Sequence, residues 1–252
     1  MTKKEQIDKA IKIIKQLENY SEYEAAFIFG SVARGDITEN SDLDVRVITV
    51  ADNSYIDVTH PFIEGVKLDL SFLSHEQLVK QTSEEENKTP QRVTWVGESL
   101  IIFDKTGLLT KLREYYKDRE PKKLEEKSYP FQRFLIYNAN SKVERNLKED
   151  PVTAILSMNF GIKDLLQIHY AVHGRWWLSD KRLLADLDKW DSNLSNLVRG
   201  FIVTSDVNKK FNIWSQIVDY IYEPVGGRID ISKHENLSPV SEQGIKDISS
   251  LI

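Results

Sequence analysis

The chain contains no cysteine, only 2 methionines and only 7 prolines in 252 residues. Without cysteine there is no disulfide framework, no thiolate metal site and no thiol nucleophile. No apolar run approaches the roughly 18 residues that a membrane-spanning helix needs. Met1-Thr2-Lys3-Lys4-Glu5 also lacks the apolar stretch of a secretory signal. These absences exclude a membrane partner and make a cytoplasmic location the expectation. Dense basic runs are missing as well: 34 Lys and Arg stand against 39 Asp and Glu, for a net charge of -5. A duplex-binding surface ordinarily carries a basic patch or stripe. The charge pattern therefore argues against nucleic acid and suits a small, even cationic, substrate.

What is present describes a folded enzyme-sized chain. Apolar residues make up 40% and charged residues 29%, the balance of a globular protein, and the length suits one large domain or two ordinary ones. Residues 3–19 read as an amphipathic helix with Ile7, Ala10, Ile11, Ile14 and Leu17 on one face, opened by a Thr2/Glu5 capping box. Ala25–Phe29 is an apolar run of strand length that ends at Gly30. Asp42–Val50 and Val66–Phe72 alternate as strands, Ser74-His75-Glu76-Gln77 opens a helix, and Leu100–Phe103 is a fourth strand. After the charged stretch Lys117–Lys123 the helical period dominates. Val152–His173 and Val207–Tyr222 are its clearest helices, the first with Ile155, Leu156, Ile162, Leu165, Leu166 and His169 in its repeat. The expectation is an α/β (α+β) chain: a small mixed-sheet domain over residues 1–116, then an all-helical domain over 117–252.

The chemistry concentrates in Phe29-Gly30-Ser31-Val32-Ala33-Arg34-Gly35-Asp36 and Ser41-Asp42-Leu43-Asp44-Val45. On a strand, Asp42 and Asp44 point to one face, about 7 Å apart, while Leu43 and Val45 point to the other. Two ionised carboxylates so close repel each other and call for a cation. Magnesium takes oxygen ligands and keeps places for phosphate and water. In Val66–Phe72, Lys67, Asp69 and Ser71 share the polar face. If that strand neighbours Asp42–Val50, Asp69 completes a three-carboxylate cage for two Mg2+ ions. Gly30 lets the backbone approach a phosphate, free N–H groups at the start of a short helix attract the anion, and Ser31 adds a hydroxyl. Arg34, one turn on, reaches toward a triphosphate. Arg46 and Lys67 either contact phosphates or neutralise the acids, and Asp36 and Asp52 read as loop acids.

Gly-Ser, ten residues, Asp-x-Asp between apolar neighbours and a later Asp on an alternating strand resemble the DNA polymerase β-like nucleotidyltransferase superfamily. The likeness covers roughly residues 25–110. It is greatest to small bacterial aminoglycoside- and lincosamide-type nucleotidyltransferases, whose closing strand and turn Ser99–Gly107 resembles. The resemblance implies metal ligands at Asp42, Asp44 and Asp69, nucleotide binding at Gly30 and Ser31, and ATP or another NTP as co-substrate. It further implies a helical domain that contacts a small-molecule acceptor, with antibiotic resistance among the options, and an extra carboxylate that takes the acceptor proton. Glu98, just before the fourth strand, is the candidate for that carboxylate, with Glu64 as its rival. Alternatives left open are a protein-adenylylating, antitoxin-like enzyme and a non-catalytic nucleotide sensor, and a homodimer is equally open.

In the helical half, His169 and His173 stand four apart with no acid between them, so helix packing is preferred over a metal site. Arg175-Trp176-Trp177 is read first as core packing and second as substrate stacking. Asn138 and Asn140 carry no assignment.

Overall fold

The computed structural model describes residues 1–51, 57–87 and 94–230; Asp52 lies outside them. The chain divides into two compact units, Met1–Glu120 and Pro121–Ile252.

The first unit begins with α1, Lys3–Lys15, whose Thr2/Glu5 capping box is present on both sides. The helix ends four residues before the expected point, in a tighter 3-10 turn over Gln16–Asn19. Strands β1 (Tyr23–Phe29), β2 (Leu43–Thr49), β3 (Asp57–Thr59), β4 (Phe62–Ile63), β5 (Val66–Ser74) and β6 (Leu100–Asp104) follow, interleaved with helices α2 (Gly30–Arg34), α3 (His75–Asn87) and α4 (Thr94–Gly97). Helix α5, Leu108–Lys117, closes the unit. The sheet order is β3-β5-β2-β1-β6, with β4 paired to β5. β2 and β5 run parallel and the other pairs antiparallel, so the sheet is mixed. Strands β3 and β4, three and two residues long, are too short for alternation to reveal.

Period-2 alternation gives the sheet two different faces. Ala26, Ile28, Leu43, Val45, Val47, Val66, Leu68 and Leu70 pack against Ile7, Ala10 and Ile14 of α1. The other face is divided along the strands. Phe27, Ile48 and Leu73 lie under Leu78, Val96, Leu109 and Tyr116 of α3, α4 and α5. Moving along β2 and β5 from that apolar half, the same face passes through Arg46 and Ser71 to Asp44 and Asp69, which are half-buried. Helix α3 is held at its start by the expected capping box, Ser74 N–H to Gln77 Oε1 at 2.8 Å and Gln77 N–H to Ser74 Oγ at 3.3 Å.

The second unit is helical: α6 (Tyr129–Glu149), α7 (Pro151–Val172), α8 (Asp180–Trp190), α9 (Ser192–Val203) and α10 (Val207–Tyr222). Asp150 joins α6 to α7 and caps α7 by accepting from the Val152 and Thr153 N–H groups. The core gathers Met158, Leu165, Leu166, Leu187, Val198, Phe201, Trp214, Ile217, Val218 and Ile221. Leu156 departs from the expected inward repeat: it is 51% exposed. Ala154 and Met158 take the core positions instead, because they lie on the same side as Leu165, and Leu156 lies on the opposite side of the helix. Lys210 is buried and closes the end of α9 by donating to the carbonyls of Phe201 (2.6 Å) and Thr204 (3.3 Å). Among the described residues no helix is long and apolar enough to cross a membrane.

Candidate active site

The residues singled out in the first unit converge on one edge of the sheet. β1 ends at Phe29, which stands opposite Asp44 on the antiparallel β2. On the other side of β2, Asp44 stands directly opposite Asp69 of β5. The two carboxylate-bearing positions are therefore nearest neighbours across a strand pair, about 4.8 Å apart. Asp42 immediately precedes β2 and is half-buried, like Asp44 and Asp69. β6 starts at Leu100, opposite Ile28, so Glu98 lies at this same edge. It is half-buried, in the turn after α4.

Gly30 is a geometric necessity here. It adopts φ +71°, and a Cβ built on it would stand 2.0 Å from Asp44 Oδ2. Only a residue without a side chain lets the strand turn left-handed and lets the Asp44 carboxylate press against the backbone. Helix α2 follows for five residues and ends at Gly35, φ +83°. So short a helix has little dipole of its own, and its offering to an anion is the local N–H groups and the Ser31 hydroxyl. The Ser31 hydroxyl lies 3.5 Å from that of Ser41. Ser41 is buried and accepts from the Thr38 N–H at 2.9 Å. The turn Thr38–Ser41 is thus tied to the Gly30-Ser31 turn through hydroxyls, a link with no local signature in the chain.

Other candidates are placed less centrally. Arg34 pairs with Asp36 at 3.1 Å. Glu64 sits in the β4–β5 hairpin turn with φ 53° and pairs with Lys9 of α1 at 3.4 Å, which turns it toward the helix-covered side. Lys67 is exposed. Two further groups escape sequence reasoning. His60, in the β3–β4 connection, holds Nδ1 3.6 Å from Asp69 Oδ1. Trp95 of α4 lies 4.1 Å from the Arg46 guanidinium carbon. Neither has a sequence neighbour that marks it; only strand pairing and helix docking bring them in.

Among the described residues, no three His, Asp or Glu side chains converge closely enough to form a ready-made metal site. Asp44 and Asp69 face each other across β2 and β5 by backbone placement, and Asp42 immediately precedes β2. The donors themselves are carboxylate oxygens, half-buried, beside a turn with no Cβ. That set suits a hard divalent cation such as magnesium.

The aromatic and histidine motifs of the helical unit are used in packing. His169 is 1% exposed, meets Asp191 Oδ2 through Nε2 at 2.8 Å and stacks on Trp190 at 5.0 Å. Burial and the neighbouring His173 push its pKa from 6.5 to about 4, against the pull of the Asp191 carboxylate. Asp191 also accepts from the Leu194 N–H (3.0 Å) and the Tyr220 hydroxyl (2.9 Å). Trp177 is buried edge-on to Tyr170, and Arg175 lies over Trp190. Asn140 accepts from Trp214 Nε1 at 2.9 Å and donates to Glu144 at 2.8 Å.

A mixed sheet with Gly-Ser at the end of one strand and facing acids on the next two defines a nucleotidyltransferase-type domain. Residues 11–102 match the family described as polymerase beta, nucleotidyltransferase. The match to polymerase beta-type nucleotidyltransferases therefore lies within the first unit. Among solved structures, the chain is similar to a nucleotidyltransferase-like protein from Exiguobacterium sibiricum 255-15. The identity is 14%, the TM-score 0.50, and the match covers 86% of this chain and 74% of that one; at this identity the likeness concerns the fold. None of the curated proteins matches the chain.

Proposed function

We propose that the chain is a magnesium-dependent enzyme that transfers a nucleoside monophosphate, AMP from ATP, to a hydroxyl of a small molecule. The observation that carries this reading is the direct opposition of Asp44 and Asp69 across β2 and β5, with Gly30 pressed against Asp44. Asp42, Asp44 and Asp69 are the residues that would hold the cation, and Gly30 and Ser31 the triphosphate. Bound there, magnesium would supply Lewis-acid polarisation of the phosphoryl oxygens. The acceptor oxygen bonds to the α-phosphorus, the bond from that phosphorus to the bridging oxygen breaks, and pyrophosphate departs with the electron pair. Glu98 would accept the hydroxyl proton, a role that requires hydrogen-bond reach to the bound acceptor. The contribution of this chain's residues is thus orientation, charge balance and proton removal.

An aminoglycoside-like acceptor agrees with the acidic balance of the chain, and we assign no individual compound. The test uses the full chain with magnesium and ATP labelled at the α-phosphate, against a panel of hydroxyl-bearing small molecules including aminoglycosides. The expected result is magnesium-dependent label on an acceptor with equimolar pyrophosphate. Label on added protein instead would favour a protein-modifying enzyme. ATP binding without any transfer would leave a nucleotide sensor.

A further inference from the structure

Arg46 is held by contacts from three other elements of the first unit. It stands on β2 two residues beyond Asp44, on the same face, opposite Phe27 of β1 and Ser71 of β5. Its guanidinium carbon lies 4.1 Å from the Trp95 ring centre and 5.1 Å from that of Phe29. Trp95 in turn is stacked on Phe27, 6.0 Å between ring centres with planes 19° apart. Arg46 Nη1 donates to Gln81 Oε1 of α3 at 2.8 Å. Each partner leads to a different part of the edge. Phe29 immediately precedes Gly30-Ser31, Trp95 sits three residues before Glu98, and Gln81 belongs to α3, whose Leu78 packs on the apolar half of the face.

We propose that Arg46 is a positioning residue, whose planar guanidinium locks the Gly30-Ser31 turn, the Asp44 strand and the Trp95–Glu98 turn into one arrangement. The inference deepens the proposed transfer activity and rests on it for its kinetic consequence. Arginine suits the task because its flat, delocalised cation stacks on aromatic faces while its edge donates hydrogen bonds. Lysine would keep the charge and lose both the planar stack and the fork. The contact geometry is also distributed: β1, α3 and α4 each supply one contact to this side chain of β2. A register or packing change in any one of them is felt by the others.

The test compares the full chain with Arg46→Lys and Trp95→Leu by hydrogen exchange, thermal melting and kinetics. Exchange protection should fall together in residues 30–34 and 94–98, by about tenfold for the loss of a desolvated cation–aromatic contact. The helical unit should keep its protection. With an acceptor identified by the transfer assay, kcat should fall at least about tenfold, as expected when reacting groups are misplaced. Affinity for a fluorescent ATP analogue with magnesium should change much less. Unchanged protection in both segments, or loosening of one alone, overturns the proposal. So does full kcat in Arg46→Lys despite loosened segments, because the residue is then only structural. If the wild-type chain transfers nothing, the activity reading fails, while the exchange result still decides whether Arg46 couples the two segments.

Discussion

The two units treat their polar side chains in opposite ways. In the helical unit, polar groups taken out of water are joined to one another: His169 to Asp191, Asn140 to Trp214, Lys210 to the end of α9. A single carboxylate, Asp191, receives groups from α7, α9 and α10. Burial makes such pairing obligatory, because a lone buried polar group costs on the order of 1–3 kcal/mol. In the α/β unit, Asp42, Asp44 and Asp69 are instead kept half-buried along one edge. Two of them face each other across neighbouring strands, an arrangement in which like charges repel. The difference teaches where to look for chemistry in this chain. Sealed groups bonded to one another build the scaffold, and half-open like charges mark the place proposed for the chemistry.

The comparison breaks most sharply at Asp69. Asp69→Asn should lower transfer by at least about 10²-fold, the scale of losing one preorganised transition-state group. Its melting temperature should stay level or rise, since one of two repelling charges is gone. Transfer at wild-type rate would remove the mechanism.

The next effect belongs to the helical unit. Folding lowers the pKa of His169 from 6.5 to about 4, so the unfolded chain holds the proton more tightly. The resulting stabilisation is complete above pH 6.5 and is lost as pH falls toward 4. Its size across that window is about 3 kcal/mol. Chemical unfolding at a series of pH values should show a shallower acid limb for His169→Gln than for the wild type. Identical limbs would show that the buried pair is not what sets the acid stability.

Gly30→Ala is expected to touch both sides of the contrast. A side chain at φ +71° that meets Asp44 should cost about 1–3 kcal/mol of backbone strain and displace the carboxylate. Melting and transfer should therefore fall together, unlike in Asp69→Asn. The smallest change is at the surface: Lys9→Ala removes an exposed pair with Glu64. It should alter stability by less than about 1 kcal/mol and leave transfer alone; a large kinetic loss would make Glu64 a contender for proton acceptor again.

Much of this arrangement is legible in the order of the amino acids. The alternation through Leu43-Asp44-Val45 and Leu68-Asp69-Leu70 tells which side chains face helix α1 and which do not. The 3.6-residue repeat yields α10 with its bounds. Leu156 defeats that repeat because α7 is apolar on more than one side, and a broad stripe does not say which part of it meets a partner. His60, Trp95 and Ser41 escape for a different reason. Each acts through a partner on another element or turn, and a single residue carries no periodicity.

The sequence by itself determined the local features: the four longer strands, where Gly30 must turn, and that Asp44 and Asp69 lie on polar strand faces. Local sterics and period govern these, and both are written in adjacent residues. Tertiary structure alone decided that β2 lies parallel to β5 in the register that sets Asp44 against Asp69. It also decided that Trp95 lies over Arg46, and that His169 is sealed against Asp191. Those are choices among distant partners, settled by which packing buries the most apolar surface without stranding a polar group.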